Sequence, residues 1–116
     1  MSWKGDYLHR PDTPRGVTTH LSGNGNSWRV VSSGGPIQLQ SWKGDFLRRN
    51  DTGNGVTTSN TGVGTSWTVI WSNDKISLKS SKGDYLHRPD SSEGVTTWNT
   101  GSGNFWSVEI VTRGNV

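Results

Sequence analysis

The chain has 116 residues, enough for one domain with a small core, and only 28% of them are apolar. The net charge is +3, and Lys and Arg interleave with Asp along the chain, which reads as solubility and excludes a nucleic-acid footprint. There is no Cys to staple the fold, no stretch near the roughly 20 apolar residues of a membrane span, and no apolar leader after Met1, so a cytoplasmic protein, or one released without a signal peptide, is expected. The polar composition would suit a disordered chain, but the seven Trp argue against that, because their large apolar area is useful mainly when buried.

In chain order, a Lys4-Gly5-Asp6 turn leads into a first strand at Tyr7-Leu8. The turn Arg10-Pro11-Asp12 leaves it. A β-branched run, Val17-Thr18-Thr19, is the second strand. The Gly-rich Ser22 to Asn26 stretch reads as a hairpin turn, since it lacks the Gly-Lys-Ser/Thr ending of a phosphate-binding loop. Trp28-Arg29-Val30 and Ile37-Gln38-Leu39 alternate apolar and polar with period 2, which gives the third and fourth strands. No segment has a helical pattern.

The set then recurs at a step of 39 residues. Lys43-Gly44-Asp45 and Lys82-Gly83-Asp84 repeat the first turn, and Phe46-Leu47 and Tyr85-Leu86 repeat the first strand. Gly55-Val56-Thr57-Thr58 and Gly94-Val95-Thr96-Thr97 repeat the second, Trp67 with Val69 and Trp106 with Val108 the third, and Ile76-Ser77-Leu78 the fourth. The third copy gains about one residue near Thr112 and stops at Val116, so its last strand should be short and the chain ends should be neighbours.

Four strands per copy make about twelve in all. One 39-residue unit cannot close its own core, whereas three around an axis bury a shared one and leave no open sheet edge. The expected fold is therefore all-β: a β-trefoil of three four-stranded repeats (about 2–40, 41–79 and 80–116) in a single domain, 1–116. A β-prism would carry a Gln-x-Asp-x-Asn-x-Val-x-Tyr pattern that is absent, and a propeller needs at least four blades. Leu8, Val17, Trp28, Val30, Ile37 and Leu39, with their counterparts, are the expected core.

The stretch Ile76-Ser77-Leu78-Lys79-Ser80-Ser81-Lys82-Gly83-Asp84-Tyr85-Leu86 resembles the strand junction of the hisactophilin, fascin and fibroblast-growth-factor trefoils. All three copies share the likeness. It implies the trefoil fold and leaves function open, since those proteins engage actin, membranes, heparan or receptors. Asp6-Tyr7-Leu8-His9-Arg10-Pro11-Asp12 and Asp45-Phe46-Leu47-Arg48-Arg49-Asn50-Asp51 are similar to segments of arabinose-binding trefoil modules. The chain departs from those modules before its third strand, where Asn26-Ser27-Trp28 stands, and it lacks the Gln-x-Trp of ricin-type trefoils. Neither set of binding residues carries over whole.

If Leu8 and Val17 point inward, His9, Thr18 and His20 point outward. Each copy then offers a polar cluster beside its first turn. In copy one it is His9, Arg10, Asp12 and His20, with Asn24 and Asn26; in copy two, Arg48, Arg49, Asp51 and Ser59; in copy three, His87, Arg88, Asp90 and Trp98, with Asn99 and Asn104. Carboxylates accept paired sugar hydroxyls, Asn and Arg donate to oxygens, and a ring packs on a sugar face. The competing structural reading pairs Arg10 with Asp12, or assigns Asp12 to its turn.

Lys-Gly-Asp matches a short integrin-binding tripeptide but reads as a tight turn. A metal site at His9 and Asp12 is disfavoured, because Arg48 stands where His9 would recur. Asn50-Asp51-Thr52 is a glycosylation sequon without a visible secretory context. No cofactor is expected, and three similar sites do not suit catalysis.

The expected function is a non-catalytic, multivalent lectin with up to three unequal sites. Glycans of the galactose or N-acetylgalactosamine type are the expected partners, with acidic glycans left open by the Arg in each cluster. The alternative is a protein-binding trefoil that engages actin or a receptor. Trp3, Trp42 and Trp71, if exposed, would instead bury a homodimer interface.

Overall fold

Short β-branched and aromatic runs between glycine turns become ten strands in the computed structural model, which describes residues 1–32, 35–51, 53, 55–61, 64–91 and 93–109. They are β1 (Tyr7–His9), β2 (Thr18–His20), β3 (Arg29–Ser32), β4 (Ile37–Gln40), β5 (Phe46–Arg49), β6 (Val56–Ser59), β7 (Thr68–Ser72), β8 (Lys75–Lys79), β9 (Tyr85–His87) and β10 (Thr96–Trp98). Two single turns of 3-10 helix stand at Asn24–Asn26 and Ser102–Asn104. No described helix is long and apolar enough to cross a membrane.

All described strand pairs are antiparallel. β1 and β2 form a hairpin, β3-β4-β5-β6 form one sheet, and β7-β8-β9-β10 form another. Single bridges stitch the sheets: Ile37 pairs with Trp67, and Ile76 with Trp106. Met1 and Ser107 exchange backbone hydrogen bonds of 2.6 and 2.8 Å, so the start of the chain lies against the third copy. The architecture is a β-trefoil. The predicted twelfth strand and the turn at Arg113 fall at 110–116, outside the described residues.

The core is Leu8, Leu39, Leu47, Leu78 and Leu86 with Trp67 and Trp106, and Val17, Trp28, Ile37, Val56, Val69, Ile76 and Val95 pack against it. Each core indole N–H donates to a leucine carbonyl of its own copy: Trp28 to Leu8 at 3.0 Å, Trp67 to Leu47 at 3.1 Å and Trp106 to Leu86 at 3.1 Å. Two expected core residues are not buried, since Val30 is 61% and Val108 51% exposed, and Trp28 is only half-buried. Trp67 is flanked by Ile37 and Trp106 by Ile76, each from the preceding copy.

The inward partner of Leu8 is Thr19, directly opposite on β2, and Thr19, Thr58 and Thr97 are fully buried. The hairpin therefore turns Leu8 and Thr19 in, and leaves His9 and His20 on the outer face.

Candidate functional site

The expected polar cluster separates into three groups of residues, one of them buried. Arg10, Arg49 and Arg88, expected as exposed ligand donors, are 1%, 5% and 1% exposed. Each crosses to the Lys-Gly-Asp turn of the next copy. Arg10 Nη2 donates to Asp45 at 2.8 Å, Arg49 Nη2 to Asp84 at 2.7 Å, and Arg88 Nη2 to Asp6 at 2.7 Å. Arg10 Nη1 also donates to the carbonyls of Pro11 at 2.6 Å and Thr13 at 3.0 Å, and Arg88 Nη1 to those of Pro89 and Ser91. Such a guanidinium has few donors left for a sugar.

The carboxylates are held as firmly. Ser2, Ser41 and Ser80 donate to Asp6, Asp45 and Asp84, and the buried threonines add a further bond each. Burial alone would raise these carboxyl pKa values. The hydrogen bonds from Arg, Ser and Thr outweigh it, setting Asp6 at about 2 and Asp45 and Asp84 below their usual range. The tight turn expected of Lys-Gly-Asp is present: Gly5, Gly44 and Gly83 sit at φ near +90°, where a side chain would be strained.

The second group is exposed. Asp12, Asp51 and Asp90 do not pair with the Arg beside them, the pairing considered for Arg10 and Asp12. They meet Lys43, Lys82 and Lys4 of the next copy at 2.6 Å. The Lys hydrogen bond and its charge hold each carboxyl below its usual range. At two of these seams the Lys also rides on an indole: Lys43 lies 5.0 Å from the Trp42 ring centre and Lys4 5.0 Å from that of Trp3. The third seam has Ser81 in place of the Trp.

The third group lies on the outer face of the β1–β2 and β9–β10 hairpins. His9 Nδ1 is 2.7 Å from Asn26 Oδ1, and His87 Nδ1 is 2.7 Å from Asn104 Oδ1. The Asn26 amide donates to the His20 carbonyl at 3.4 Å, and that of Asn104 to the Trp98 carbonyl at 3.5 Å. These bonds turn each Asn oxygen toward its His, so Nδ1 is the donor. The ring centres of His9 and His20 are 5.1 Å apart, and those of His87 and Trp98 6.3 Å. Glycines make room for the imidazoles: a Cβ on Gly25 would fall 2.8 Å from His9 Cε1, and one on Gly103 2.6 Å from His87 Cε1.

Copy two keeps the hairpin but replaces the chemistry. Arg48 stands for the His, Ser59 for the aromatic residue and Thr65 for the Asn. Ser59 bonds the Thr61 carbonyl at 2.8 Å, and Thr65 accepts from Gln38 at 3.0 Å. The structure thus brings His9, His20 and Asn26 together, and His87, Trp98 and Asn104. It separates them from Arg10 and Asp12, or Arg88 and Asp90, because successive residues of a strand face opposite ways. Asn24 and Asn99 are exposed. Among the described residues no cluster of three or more His, Cys, Asp or Glu could hold a metal ion.

Trp3, Trp42 and Trp71, considered for a homodimer interface if exposed, are exposed, and the place of Trp3 and Trp42 at the seams was not anticipated. The signal was present: Trp3-Lys4-Gly5-Asp6 and Trp42-Lys43-Gly44-Asp45 match, while the third copy reads Ser81-Lys82-Gly83-Asp84.

No family model and no curated protein matches the chain. Solved structures do. One is the GlcNAcα1-4Gal-releasing endo-β-galactosidase from Clostridium perfringens, with a TM-score of 0.80 at 10% identity over 91% of this chain and 30% of that one. This chain thus spans less than a third of that enzyme. Another is hisactophilin, itself similar in structure to interleukin-1β and fibroblast growth factor, with a TM-score of 0.74 at 21% identity over 94% of both chains. At such identities the likeness shows the fold, and that fold is the β-trefoil.

Proposed function

We propose that this chain is a carbohydrate-binding trefoil that acts without catalysis. The observation that carries the reading is the face formed by His87, Trp98 and Asn104. A half-exposed indole lies tilted beside an imidazole whose Nδ1 is held by Asn104. An indole offers an apolar face to the C–H side of a pyranose, and Nε2 accepts one of its hydroxyls. His9, His20 and Asn26 repeat the arrangement with a smaller ring. The likeness to part of a galactosidase is in keeping with a sugar ligand, and galactose-type sugars are the first to test. Several weak sites on one rigid body would gain avidity on a glycan-covered surface, by about 10² to 10⁴ where geometry permits.

The described carboxylates of the seams are already bonded to Arg, Ser, Thr or Lys. A second reading, a protein partner or a second copy of the chain, is favoured by Trp71, which is 65% exposed beside the exposed Ile70 on β7. A glycan array with free-sugar competition, run beside actin-filament co-sedimentation and sedimentation equilibrium, separates the two. Competed glycan signals support the lectin. A blank array with filament binding or dimerisation overturns it.

A further inference from the structure

Residues shared by all three copies serve the frame. The Arg–Asp clamp, the Lys–Asp pair and the glycine under the Arg carbonyl (Gly25, Gly64 and Gly103) occur in every copy. The seam with Ser81 closes its clamp at 2.7 Å and its Lys–Asp pair at 2.6 Å, like the seams that have a Trp. The frame therefore does not need Trp3 or Trp42. Each is nearly half exposed, at 47% and 46%, so much of each ring is left for contact with a ligand.

These indoles are fixed in place. Trp42 Nε1 donates to the Arg10 carbonyl at 2.8 Å, and Trp3 Nε1 to the Arg88 carbonyl at 2.8 Å. The same carbonyl oxygens form the floor beside the imidazoles: a Cβ on Gly25 would lie 2.2 Å from Arg10 O, and one on Gly103 2.4 Å from Arg88 O. The indole edge and the His–Asn face thus meet at one bare carbonyl.

The two features are kept and lost together. Copies one and three hold His, Asn and an aromatic or His ring, and the turn that follows each in the ring of copies holds a Trp. Copy two holds Arg48, Thr65 and Ser59, and its following turn holds Ser81.

We infer that Trp42 and Trp3 complete the sites of copies one and three, so that each site is built across a seam, takes a glycan of at least two sugar units, and leaves copy two silent. One unit packs on the hairpin face, and the next stacks on the indole. The protein is then bivalent rather than trivalent. This rests on the carbohydrate reading above.

The test uses the full chain and an array of mono-, di- and tetrasaccharides in galactose, N-acetylgalactosamine, glucuronic acid and N-acetylneuraminic acid series. The variants are Trp3→Ser with Trp42→Ser, copying the native Ser81, and Trp3→Phe with Trp42→Phe, which keep a ring. Wild type should bind disaccharides about tenfold more tightly than monosaccharides, as expected for roughly 1.4 kcal/mol of added stacking. The Ser variant should lose that step while remaining folded, and the Phe variant should keep most of it. A length step that survives in the Ser variant overturns the seam sites and leaves the carbohydrate reading standing. So does a loss of the step in a Phe variant that remains folded. A blank array for wild type removes the carbohydrate reading itself, and this inference with it.

Discussion

Arg10 reaches out of its own copy to lie on Asp45 of the next, and Arg88 closes the ring on Asp6 with the same geometry. The two pairs are separated by 35 and 82 residues, yet each places Nη2 within 2.8 Å of a carboxylate oxygen. A buried charge that loses its partner is left uncompensated, at a cost of about 3–5 kcal/mol. Arg10→Ala should therefore remove a large share of the roughly 5–15 kcal/mol that holds a domain of this size. Asp12→Ala, which breaks only the exposed pair with Lys43, should barely move the urea midpoint. Equal effects of the two changes would count against the clamp.

The clamp also sets how the fold responds to acid. Asp6 titrates at about 2, and Asp45 and Asp84 below their usual range, against an unfolded value of about 3.9. A carboxyl depressed in the folded state contributes stability that is complete above the unfolded pKa. That contribution fades as pH falls from about 4 to about 2, and for Asp6 it amounts to roughly 2 kcal/mol. Urea midpoints taken at about pH 6, 4 and 2.5 should fall mainly across the last interval. A midpoint that stays level down to about pH 2.5 would show that the clamps do not carry this linkage.

The core indoles should be unequal. Trp67 is fully buried, and Trp28 only half. Trp67→Ala should cost about 3–5 kcal/mol, enough to unfold much of the population, and Trp28→Ala distinctly less. Thermal unfolding of the two variants checks the order.

The 39-residue step and the period-2 runs made the trefoil legible, because each repeated Leu and Trp fixed an inward face. The buried Thr19 was not legible. Its hydroxyl is worth burying only because Asp6 arrives from elsewhere in the chain to accept it and Gly94 donates to it at 3.0 Å. Arg10 escaped for the same reason: an Arg in a polar turn looks exposed until the next copy supplies a buried carboxylate. At the candidate site, alternation along β1 correctly turned His9 outward. It could not show that Arg10, one residue on, would leave by the other side and take Asp12 out of the cluster. Spacing along the chain showed neither the clamp that joins Arg10 to the next copy nor the bond that joins Thr19 to Asp6 within its own copy.

Asn104 should matter to binding more than its small size suggests. It accepts from His87 Nδ1 and donates to the Trp98 carbonyl, so it sets the orientation of the imidazole. Asn104→Leu leaves a donor and a carbonyl without their partner, at about 1–3 kcal/mol. The His87 ring is then free to flip its nitrogens. Affinity at copy three should fall about 5- to 150-fold, converted from that cost at 1.4 kcal/mol per tenfold, while copy one binds as before. Nitrogen-15 spectra of the His side chains would report the change of tautomer directly. A variant that keeps both the tautomer and the affinity would remove Asn104 from the site.

Copy two should be convertible. Its hairpin has the register of copy three: Arg48 stands opposite Thr57 as His87 stands opposite Thr96, and Ser59 opposite Phe46 as Trp98 stands opposite Tyr85. Gly64 keeps the floor bare, since a Cβ there would fall 2.4 Å from the Arg49 carbonyl. Thr65 is as buried as Asn104, and the Gln38 amide that it accepts would meet an Asn oxygen instead. Ser81 lies in an exposed turn where the other copies carry Trp. The combined variant Arg48→His, Ser59→Trp, Thr65→Asn and Ser81→Trp should therefore raise the number of glycan sites from two to three in titration calorimetry. Ser81→Trp alone should leave it at two, because an indole without a His–Asn face has nothing to extend. A folded fourfold variant that still binds at two sites would mean that the residues which set the site lie outside this group.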